Sequence, residues 1–286
     1  MKENRELQGK NKRIKNTAAQ ISVKEAVSGE AGSSAAAATK NKRGNCMYNL
    51  EILEKGCEEL GITLNDTQKN QFIQFYEFLV EKNKVMNLTA LTEPEDVVLK
   101  HFVDSLYAYK ADLMHNKTLV DVGTGAGFPG LPLKIYDPSL HLVLLDSLTK
   151  RLKFLQEVSD SLALTSVAFE HQRAEDAGQD KKLREHFDLA VSRAVARLSV
   201  LAEYCLPLIK KGGYFIALKG SKYKEELLEA ESALKILGGI VTAVEEVHLP
   251  GLTDKRAIIF IRKVKNTPAI YPRKAGTPMK NPLSSK

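Results

Sequence analysis

The chain has 286 residues, of which 43% are hydrophobic and 27% charged, enough for one or two globular domains with a sizeable core. No apolar stretch approaches the ~18 residues that a membrane-spanning helix needs, so we expect no membrane partner. Three cysteines without a C-x-x-C pair or a neighbouring histidine cluster argue against a metal site or a disulfide framework. They fit a reducing, cytoplasmic compartment.

The net charge of +7 is concentrated at the two ends of the chain. Residues 1–44 carry a net +6 and residues 265–286 a net +5, which leaves −4 for the residues between them. Basic ends are common in proteins that bind nucleic acids, and they are also common as plain solvated termini. The charge pattern therefore supports a polyanionic substrate only modestly.

Residues 1–44 are polar, lysine-rich and free of aromatic side chains, which predicts a disordered basic extension. Residues 45–110 follow helical spacing and predict an N-terminal helical cap. Within it, Asn65 or Asp66 is expected to cap one helix, and another helix has Pro94 in its first turn. The apolar face of the first of these helices consists of Phe72, Phe75, Tyr76 and Leu79.

From residue 118 the pattern changes to short apolar runs that alternate with amphipathic segments. The expected strands are 118–122, 141–145, 166–171, 187–191, 213–218, 241–248 and 257–263. This alternation predicts an α/β fold with a doubly wound, mainly parallel, Rossmann-like sheet of seven strands within residues 111–265. Because only a loop joins the last two strands, we expect an antiparallel hairpin at the sheet edge. Residues 266–286 are expected to form a basic C-terminal tail.

A glycine-rich loop follows the first strand and reads Asp121-Val122-Gly123-Thr124-Gly125-Ala126-Gly127-Phe128-Pro129-Gly130. Phe128 stands where a dinucleotide fingerprint has its third glycine, and Leu131-Pro132 replaces the Lys-Ser/Thr of a P-loop. The pattern instead resembles motif I of methyltransferases that use S-adenosylmethionine (SAM). Small residues there let the backbone approach the ribose and methionine of that ligand. The alternative is a tight strand-to-helix turn without a ligand.

Acidic side chains follow the next two strands, at the sheet edge where open α/β sheets bind ligands. Asp146, followed by Ser147, lies about 20 residues after Gly123, the spacing of an acid that binds ribose hydroxyls. The alternative role of Asp146 is to cap the following helix. Ala174 and Glu175, after the third strand, are placed to flank an adenine, or they belong to an ordinary acidic loop.

The fourth strand ends in Ser192-Arg193-Ala194, which narrows the possible acceptor of a methyl group. Enzymes that methylate amines commonly carry an Asn/Asp-Pro-Pro-aromatic segment at this point. Methylation of a pyrimidine carbon needs a cysteine nucleophile, which the strand-end loops lack. A ring nitrogen with a free lone pair, such as guanine N7, remains. Arg193 is suited to bind base or phosphate, or to form a salt bridge with an acid of the site.

The motifs together resemble the RsmG (glucose-inhibited division protein B) family of 16S rRNA methyltransferases. The resemblance covers roughly residues 46–286 and rests on residues 87–89, 100–106, 121–130, 145–147, 192–194, 217–220 and 271–278. It implies a SAM-binding methyltransferase domain at 111–265 and methylation of N7 of guanine 527, in the 530 loop of 16S rRNA. The SAM contacts that it implies are Gly123, Phe128, Asp146, Ser147, Ala174, Glu175 and Arg193.

The resemblance also draws attention to His101, Asp104 and Ser105, which share a helix face at i, i+3, i+4 and are candidates for the substrate side. Spacing alone would make them a partly buried polar trio, and no chemical role is assigned to any residue. Lys219, at the tip of the fifth strand, is placed for a phosphate contact or is a solvated strand end. We expect a monomer without metal that acts on 16S rRNA or the small ribosomal subunit. The alternatives are a SAM-dependent enzyme for a small molecule and a non-catalytic RNA-binding or assembly module.

Overall fold

The computed structural model describes residues 50–283, and a seven-stranded sheet runs through its centre. The strands are β1 (Thr118–Val122), β2 (His141–Asp146), β3 (Val167–His171), β4 (Phe187–Arg193), β5 (Ile209–Lys219), β6 (Gly239–Val247) and β7 (Arg256–Lys263). They lie in the order β3-β2-β1-β4-β5-β7-β6. Strands β1 to β5 pair in parallel, whereas β7 is antiparallel to both β5 and β6. The predicted doubly wound, mainly parallel sheet with an edge hairpin is confirmed.

Helices precede the sheet and separate most of its strands. Before β1 come α1 (50–59), α2 (Asp66–Met86), α3 and α4 (Ala111–Met114). Helix α3 begins as Pro94–Val97, passes through a π-helical segment, Val98–Val103, and ends as Asp104–Leu106. The later helices are α5 (Gly130–Tyr136), α6 (Thr149–Ser161), α7 (Ala174–Ala177), α8 (Leu198–Cys205), α9 (Tyr223–Leu237) and α10 (Thr277–Lys280).

The buried apolar side chains form two clusters, because successive residues of a strand point to opposite faces of the sheet. On β1, Leu119 belongs to the first cluster and Val120 to the second. The first cluster also contains Phe72 and Phe75 of α2 and Phe102 of α3. The N-terminal helices therefore share one core with the sheet. The predicted division of the chain at residue 110 stays a prediction.

Helix α2 begins with a capping box, which identifies Asn65 as the cap among the two residues predicted for that role. Gln68 N donates to Asn65 Oδ1, and Asn65 N donates to Gln68 Oε1, each at 2.9 Å. This reciprocal pair satisfies two backbone donors that a helix start otherwise leaves free. The cap fixes the position at which α2 starts to present Phe72 and Phe75 to the core.

Residues 266–283, which belong to the predicted basic C-terminal tail, pack against the α/β part of the chain. Arg273 pairs with the fully buried Glu203, with 2.6 Å between Nη2 and Oε2. Arg184 donates hydrogen bonds to backbone carbonyls of the same segment. The positive charge of Arg273 thus neutralises a buried acid of α8 and is not presented to solvent as a free cation.

Residues 1–49 and 284–286 lie outside the described part of the chain, so the basic extension predicted for residues 1–44 stays a prediction. No helix within residues 50–283 is long and apolar enough to cross a membrane. The same residues contain no group of three His, Cys, Asp or Glu side chains that could hold a metal ion. Cys57 and Cys205 are buried and unpaired by disulfides.

Replacing Asn65 by alanine removes the acceptor for Gln68 N and breaks the capping box. We expect Asn65→Ala to lower the free energy of unfolding by about 1 kcal/mol in urea denaturation. Asn70→Ala is the matched control, since Asn70 is an exposed interior residue of the same helix. Alanine is the better helix former there, so stability should stay equal or rise slightly. Equal losses in both variants would contradict the assigned cap.

Candidate functional site

Two cavities open at the carboxyl ends of the parallel strands, where open α/β sheets bind ligands. The glycine-loop cavity, of about 550 Å³, is lined by the loops after β1, β2, β3 and β4 and by residues of the C-terminal segment. The basic cavity, of about 960 Å³, lies between α3, the loop after β4, the end of β5 and the start of β7. Both cavities are lined by His101, Arg193, Ala194 and Val195. They are therefore direct neighbours.

The glycine-rich loop connects β1 to α5 and is hydrogen-bonded to the end of β2 and to Asp121 of β1. Gly123 N and Thr124 N donate to Leu145 O at 2.8 and 3.1 Å. Asp121 Oδ2 accepts from Thr124 Oγ1 at 2.8 Å and from Gly130 N at 2.9 Å. A Cβ on Gly130 would lie 2.8 Å from that carboxylate oxygen, so this close approach requires glycine. These bonds hold the two ends of the loop, and residues 123–126 between them line the glycine-loop cavity.

Gly123 is required for two separate reasons. Its φ of +72° lies in the left-handed region that side chains disfavour. A Cβ at this position would also lie 2.6 Å from Val195 Cγ2, so the loop after β4 comes close to the glycine loop. Val195 therefore lies close to the backbone of Gly123, and the predicted approach of SAM to this glycine stays a prediction.

Asp146, at the end of β2, binds the backbone of both loops beside it. Its buried carboxylate accepts from Gly125 N at 3.0 Å through Oδ2 and from Leu148 N at 2.9 Å through Oδ1. Arg151 Nη1 lies 3.3 Å from Oδ2. Helix α6 begins after Leu148 without a side-chain cap, so the alternative role of Asp146 as the helix cap is wrong. Asp146 and Ser147 both line the glycine-loop cavity, and their contact with ribose stays a prediction.

Ala174 and Glu175, at the start of α7, line the same cavity. The carboxylate of Glu175 is buried, and its Oε1 accepts from Gly276 N at 2.8 Å and from Tyr204 Oη at 3.3 Å. Burial and the adjacent carboxylate raise the pKa of Tyr204, which keeps the phenol protonated as a donor. One carboxylate oxygen of Glu175 is therefore already hydrogen-bonded within the protein.

Arg193, the last residue of β4, is the centre of a buried polar network between the sheet and α3. Its Nη1 lies 2.9 Å from Asp104 Oδ2, and its Nη2 lies 3.0 Å from His101 Nδ1. The guanidinium carbon stands 4.9 Å from the ring centroid of Phe128, a cation–π distance. Arg256 Nη1 reaches the other oxygen of Asp104 at 3.3 Å. The salt bridge considered for Arg193 is therefore formed, and a second arginine shares the carboxylate.

His101 Nδ1 lies 3.0 Å from Arg193 Nη2, which can only donate, and 3.1 Å from Lys100 O, which can only accept. We infer that Nδ1 accepts, because a proton there would face the arginine donor, whereas Lys100 O already accepts from Arg193 Nη1 at 3.0 Å. The proton is then on Nε2, which donates to Thr89 Oγ1 at 2.9 Å. Burial, and then the positive charge of Arg193, lower the pKa of His101 to about 3. The ring is neutral at physiological pH and stacks on Phe128 at 4.6 Å between centroids.

Phe128 was expected at the site from the family resemblance alone. Its ring is buried, and it stacks on Phe75 of α2 at 5.2 Å in addition to His101. It lines the glycine-loop cavity from the side of the N-terminal helices. The signal in the sequence was a bulky aromatic residue at the position of a third glycine, where the helices require an apolar partner.

Two of the predicted substrate-side residues, Ser105 and Lys219, are hydrogen-bonded within the protein. Ser105 is fully buried, donates from Oγ to His101 O at 2.5 Å and lines neither cavity. Of the three polar residues predicted on this face of α3, only His101 and Asp104 therefore line the cavities. Lys219 lines the basic cavity, but its Nζ is held by Ala196 O at 2.8 Å and by Glu226 at 2.6 Å. In this structure Lys219 fastens the loop after β4.

Six basic and three acidic side chains line the basic cavity, a local excess of three positive charges by formal count. The basic residues are Lys100, Arg193, Arg197, Lys219, Lys255 and Arg256. The part of the chain between the two basic ends is acidic in total, yet folding brings these residues to one face. Lys255 and Arg256 were missed in the sequence because they lie in a loop and at a strand start without a motif.

We expect nitrogen-15 NMR of the imidazole to show the Nε2–H tautomer of His101, without ring protonation between pH 8 and 5. The reason is that its pKa is lowered from 6.5 to about 3. Between pH 6.5 and about 3 the unfolded chain binds a proton at His101 that the folded chain does not bind. The free energy of unfolding therefore keeps the full contribution of this group above pH 6.5 and loses it as the pH falls toward 3. A proton on Nδ1, or a charged ring at pH 6, would refute the assigned network.

Comparison with known proteins identifies the family of this chain. Residues 68–259 match the family model described as rRNA small subunit methyltransferase G. The chain is 51% identical to ribosomal RNA small subunit methyltransferase G of Alkaliphilus metalliredigens over 238 residues, which is 83% of this chain and 100% of the relative. It is 53% identical to the protein of that name from Lactobacillus johnsonii over 238 residues, 82% of this chain and 100% of the relative.

Among solved structures, it is similar to a SAM-dependent O-methyltransferase from Thermotoga maritima, with a TM-score of 0.45, 16% identity, and coverage of 66% of this chain and 72% of that chain. The family model covers more than half of the chain, and the relatives are matched over their full length. The chain therefore belongs to the rRNA small subunit methyltransferase G family.

Proposed function

We propose that this chain transfers a methyl group from SAM to N7 of a guanine of 16S rRNA, position 527 in the 530 loop. The observation that carries the proposal is the pair of neighbouring cavities, one built on a glycine-rich loop and the other lined by basic side chains. Membership of the family supports small-subunit rRNA as the substrate. A ribosomal substrate would agree with a cytoplasmic activity.

The glycine-loop cavity fits SAM by size and by its polar groups. Its volume of about 550 Å³ lies within the ~300–1,000 Å³ usual for small-molecule sites. Carboxylates of Asp146 and Glu175 suit ribose hydroxyls and an adenine amine. The hydroxyl hydrogen of Thr89 is free to donate to the carboxylate of the methionine, because Oγ1 accepts from His101. The residues that would hold SAM are Gly123, Phe128, Asp146, Ser147, Ala174, Glu175 and Arg193.

The chemistry requires positioning more than acid–base groups. When bound, SAM supplies an electrophilic methyl group on a sulfonium sulfur. Transfer to guanine N7 would use the lone pair of that nitrogen, and the sulfur would keep the electrons of the S–C bond that breaks. No proton leaves N7, so the chain needs only to orient the two reactants and exclude water. His101 agrees with this requirement, since a base with a pKa of about 3 does not take up a proton at neutral pH.

The basic cavity supplies donors for the acceptor nucleotide. Arg256 lines this cavity, and 23% of its side chain is exposed. An arginine in this position suits guanine O6 or a phosphate oxygen as an acceptor, while N7 stays free to react. Arg197 and Glu229 form an exposed pair at 2.8 Å, and such pairs are worth only about 0–1 kcal/mol. An RNA phosphate can therefore replace Glu229 at small cost.

The proposal is tested by incubating the purified chain and radiolabelled SAM with small ribosomal subunits that lack the modification. We expect label in 16S rRNA and chemical strand scission at guanine 527, with no transfer to subunits that already carry the methyl group. Label in a metabolite fraction instead of RNA would favour a small-molecule enzyme. RNA binding without affinity for SAM would favour an assembly module, and either result would refute the proposal.

We expect the double variant Arg197→Ala/Lys255→Ala to raise the KM for small subunits several-fold and to leave affinity for S-adenosylhomocysteine unchanged. Both side chains are exposed and line only the basic cavity. If each contacts one phosphate, the slope of log K against log salt should fall by about 0.7–0.9 per residue in a filter-binding titration.

Lys181→Ala/Lys211→Ala removes the same charge from exposed positions outside both cavities and serves as the control. We expect its KM and salt slope to match those of the unmodified chain. The assignment of the basic cavity to RNA fails if the two double variants change the salt slope equally.

A further inference from the structure

The C-terminal segment, residues 266–283, supplies one wall of the glycine-loop cavity. Gly276 and Met279 line this cavity beside Glu175 and Tyr204. The segment follows the last strand and lies beyond the residues matched by the family model. Residues 271–278 contributed to the family resemblance, but neither Gly276 nor Met279 was among the predicted SAM contacts.

Buried contacts hold this wall in place. Arg273 donates to Glu203 through Nε at 2.9 Å and through Nη2 at 2.6 Å, and Glu203 is fully buried. Next to the cavity, Gly276 N donates to Glu175 Oε1 at 2.8 Å. Arg184 donates to two backbone carbonyls of the segment at 2.7 and 2.8 Å. The segment is thus bonded to Glu203 of α8 at one point and to Glu175 of the cavity at another.

The wall presents groups that suit a purine ring. Met279 leaves 56% of its surface exposed, although it is a large apolar side chain at a cavity. A thioether packs favourably against an aromatic ring. Beside it, Glu175 Oε1 is occupied by Gly276 and Tyr204, while Oε2 accepts no hydrogen bond from the residues that the structure describes. An apolar surface next to a free carboxylate oxygen matches a ring that carries an exocyclic amine.

We propose that the C-terminal segment is part of the cofactor site, with Met279 packed on the adenine of SAM and Glu175 shared between the segment and the adenine amine. Glu175 would hold Gly276 with one oxygen and accept from the amine with the other. This inference rests on the proposed function for the identity of the ligand. Its consequence is that cofactor binding and docking of the segment stabilise each other.

The test is calorimetric titration of S-adenosylhomocysteine into the full chain and into Met279→Ala. We expect binding about ten-fold weaker in the variant, because the truncation removes most of the apolar surface offered to the ring. Ile270→Ala is the matched control, since Ile270 is exposed on the same segment and does not line the cavity. Both side chains are solvent-exposed, so neither variant should lower the thermal unfolding midpoint.

Limited trypsin digestion gives a second measurement that does not depend on Met279. Lys274 and Lys280 are exposed on the segment, and Lys181 is exposed away from the cavity. We expect S-adenosylhomocysteine to slow cleavage after Lys280 relative to cleavage after Lys181. Ligand-independent cleavage of the segment would overturn the proposal, as would unchanged affinity in Met279→Ala or an equal loss in Ile270→Ala.

The outcomes separate this inference from the proposed function. If the chain binds S-adenosylhomocysteine through Met279 but transfers no methyl group to rRNA, the inference stands and the proposed function fails. If it methylates rRNA while Met279→Ala binds normally, only the inference fails. A chain that does not bind S-adenosylhomocysteine would overturn both.

Discussion

The ion pair between Arg193 and Asp104 is the contact on which both cavities depend. It joins the last residue of β4 to α3, and its side chains are only 13% and 4% exposed. Losing one partner of such a pair would leave a buried charge without compensation, at a cost of about 3–5 kcal/mol. Because Arg193 and His101 line both cavities, any displacement of α3 from β4 would change the two together. Arg256, the first residue of β7, also pairs with Asp104, so β7 is held to α3 through the same carboxylate.

Three polar side chains at the cavities are hydrogen-bonded to neighbouring loops and so help to hold the site in place. Asp146 holds the glycine loop, Lys219 holds the loop after β4, and Glu175 holds the C-terminal segment. Phe128 fills the space between these loops and the N-terminal helices by stacking on Phe75. The proposed transfer to N7, which needs no proton transfer, would gain most from such fixed geometry, since orientation of the two reactants is its main requirement.

The sequence predicted the features that local physics determines. Each strand is a short apolar run, the cap of α2 is a local polar pair, and the glycines mark backbone that side chains would obstruct. It could not predict contacts made by distant partners. The role of Arg273 depends on Glu203 in another helix, and Ser105 turns inward because its hydroxyl bonds to His101 O beside a π-helical segment. Convergence of basic residues on one cavity is likewise a product of the sheet order.

We propose that two neighbouring cavities hold the methyl donor and the acceptor guanine on either side of Arg193 and His101. A crystal structure of the chain with S-adenosylhomocysteine and 7-methylguanosine monophosphate measures this directly. We expect the sulfur in the glycine-loop cavity, the guanine in the basic cavity, and the N7-methyl group directed at the sulfur past these two side chains. A guanine bound away from the basic cavity, or with N7 turned from the sulfur, would contradict the account.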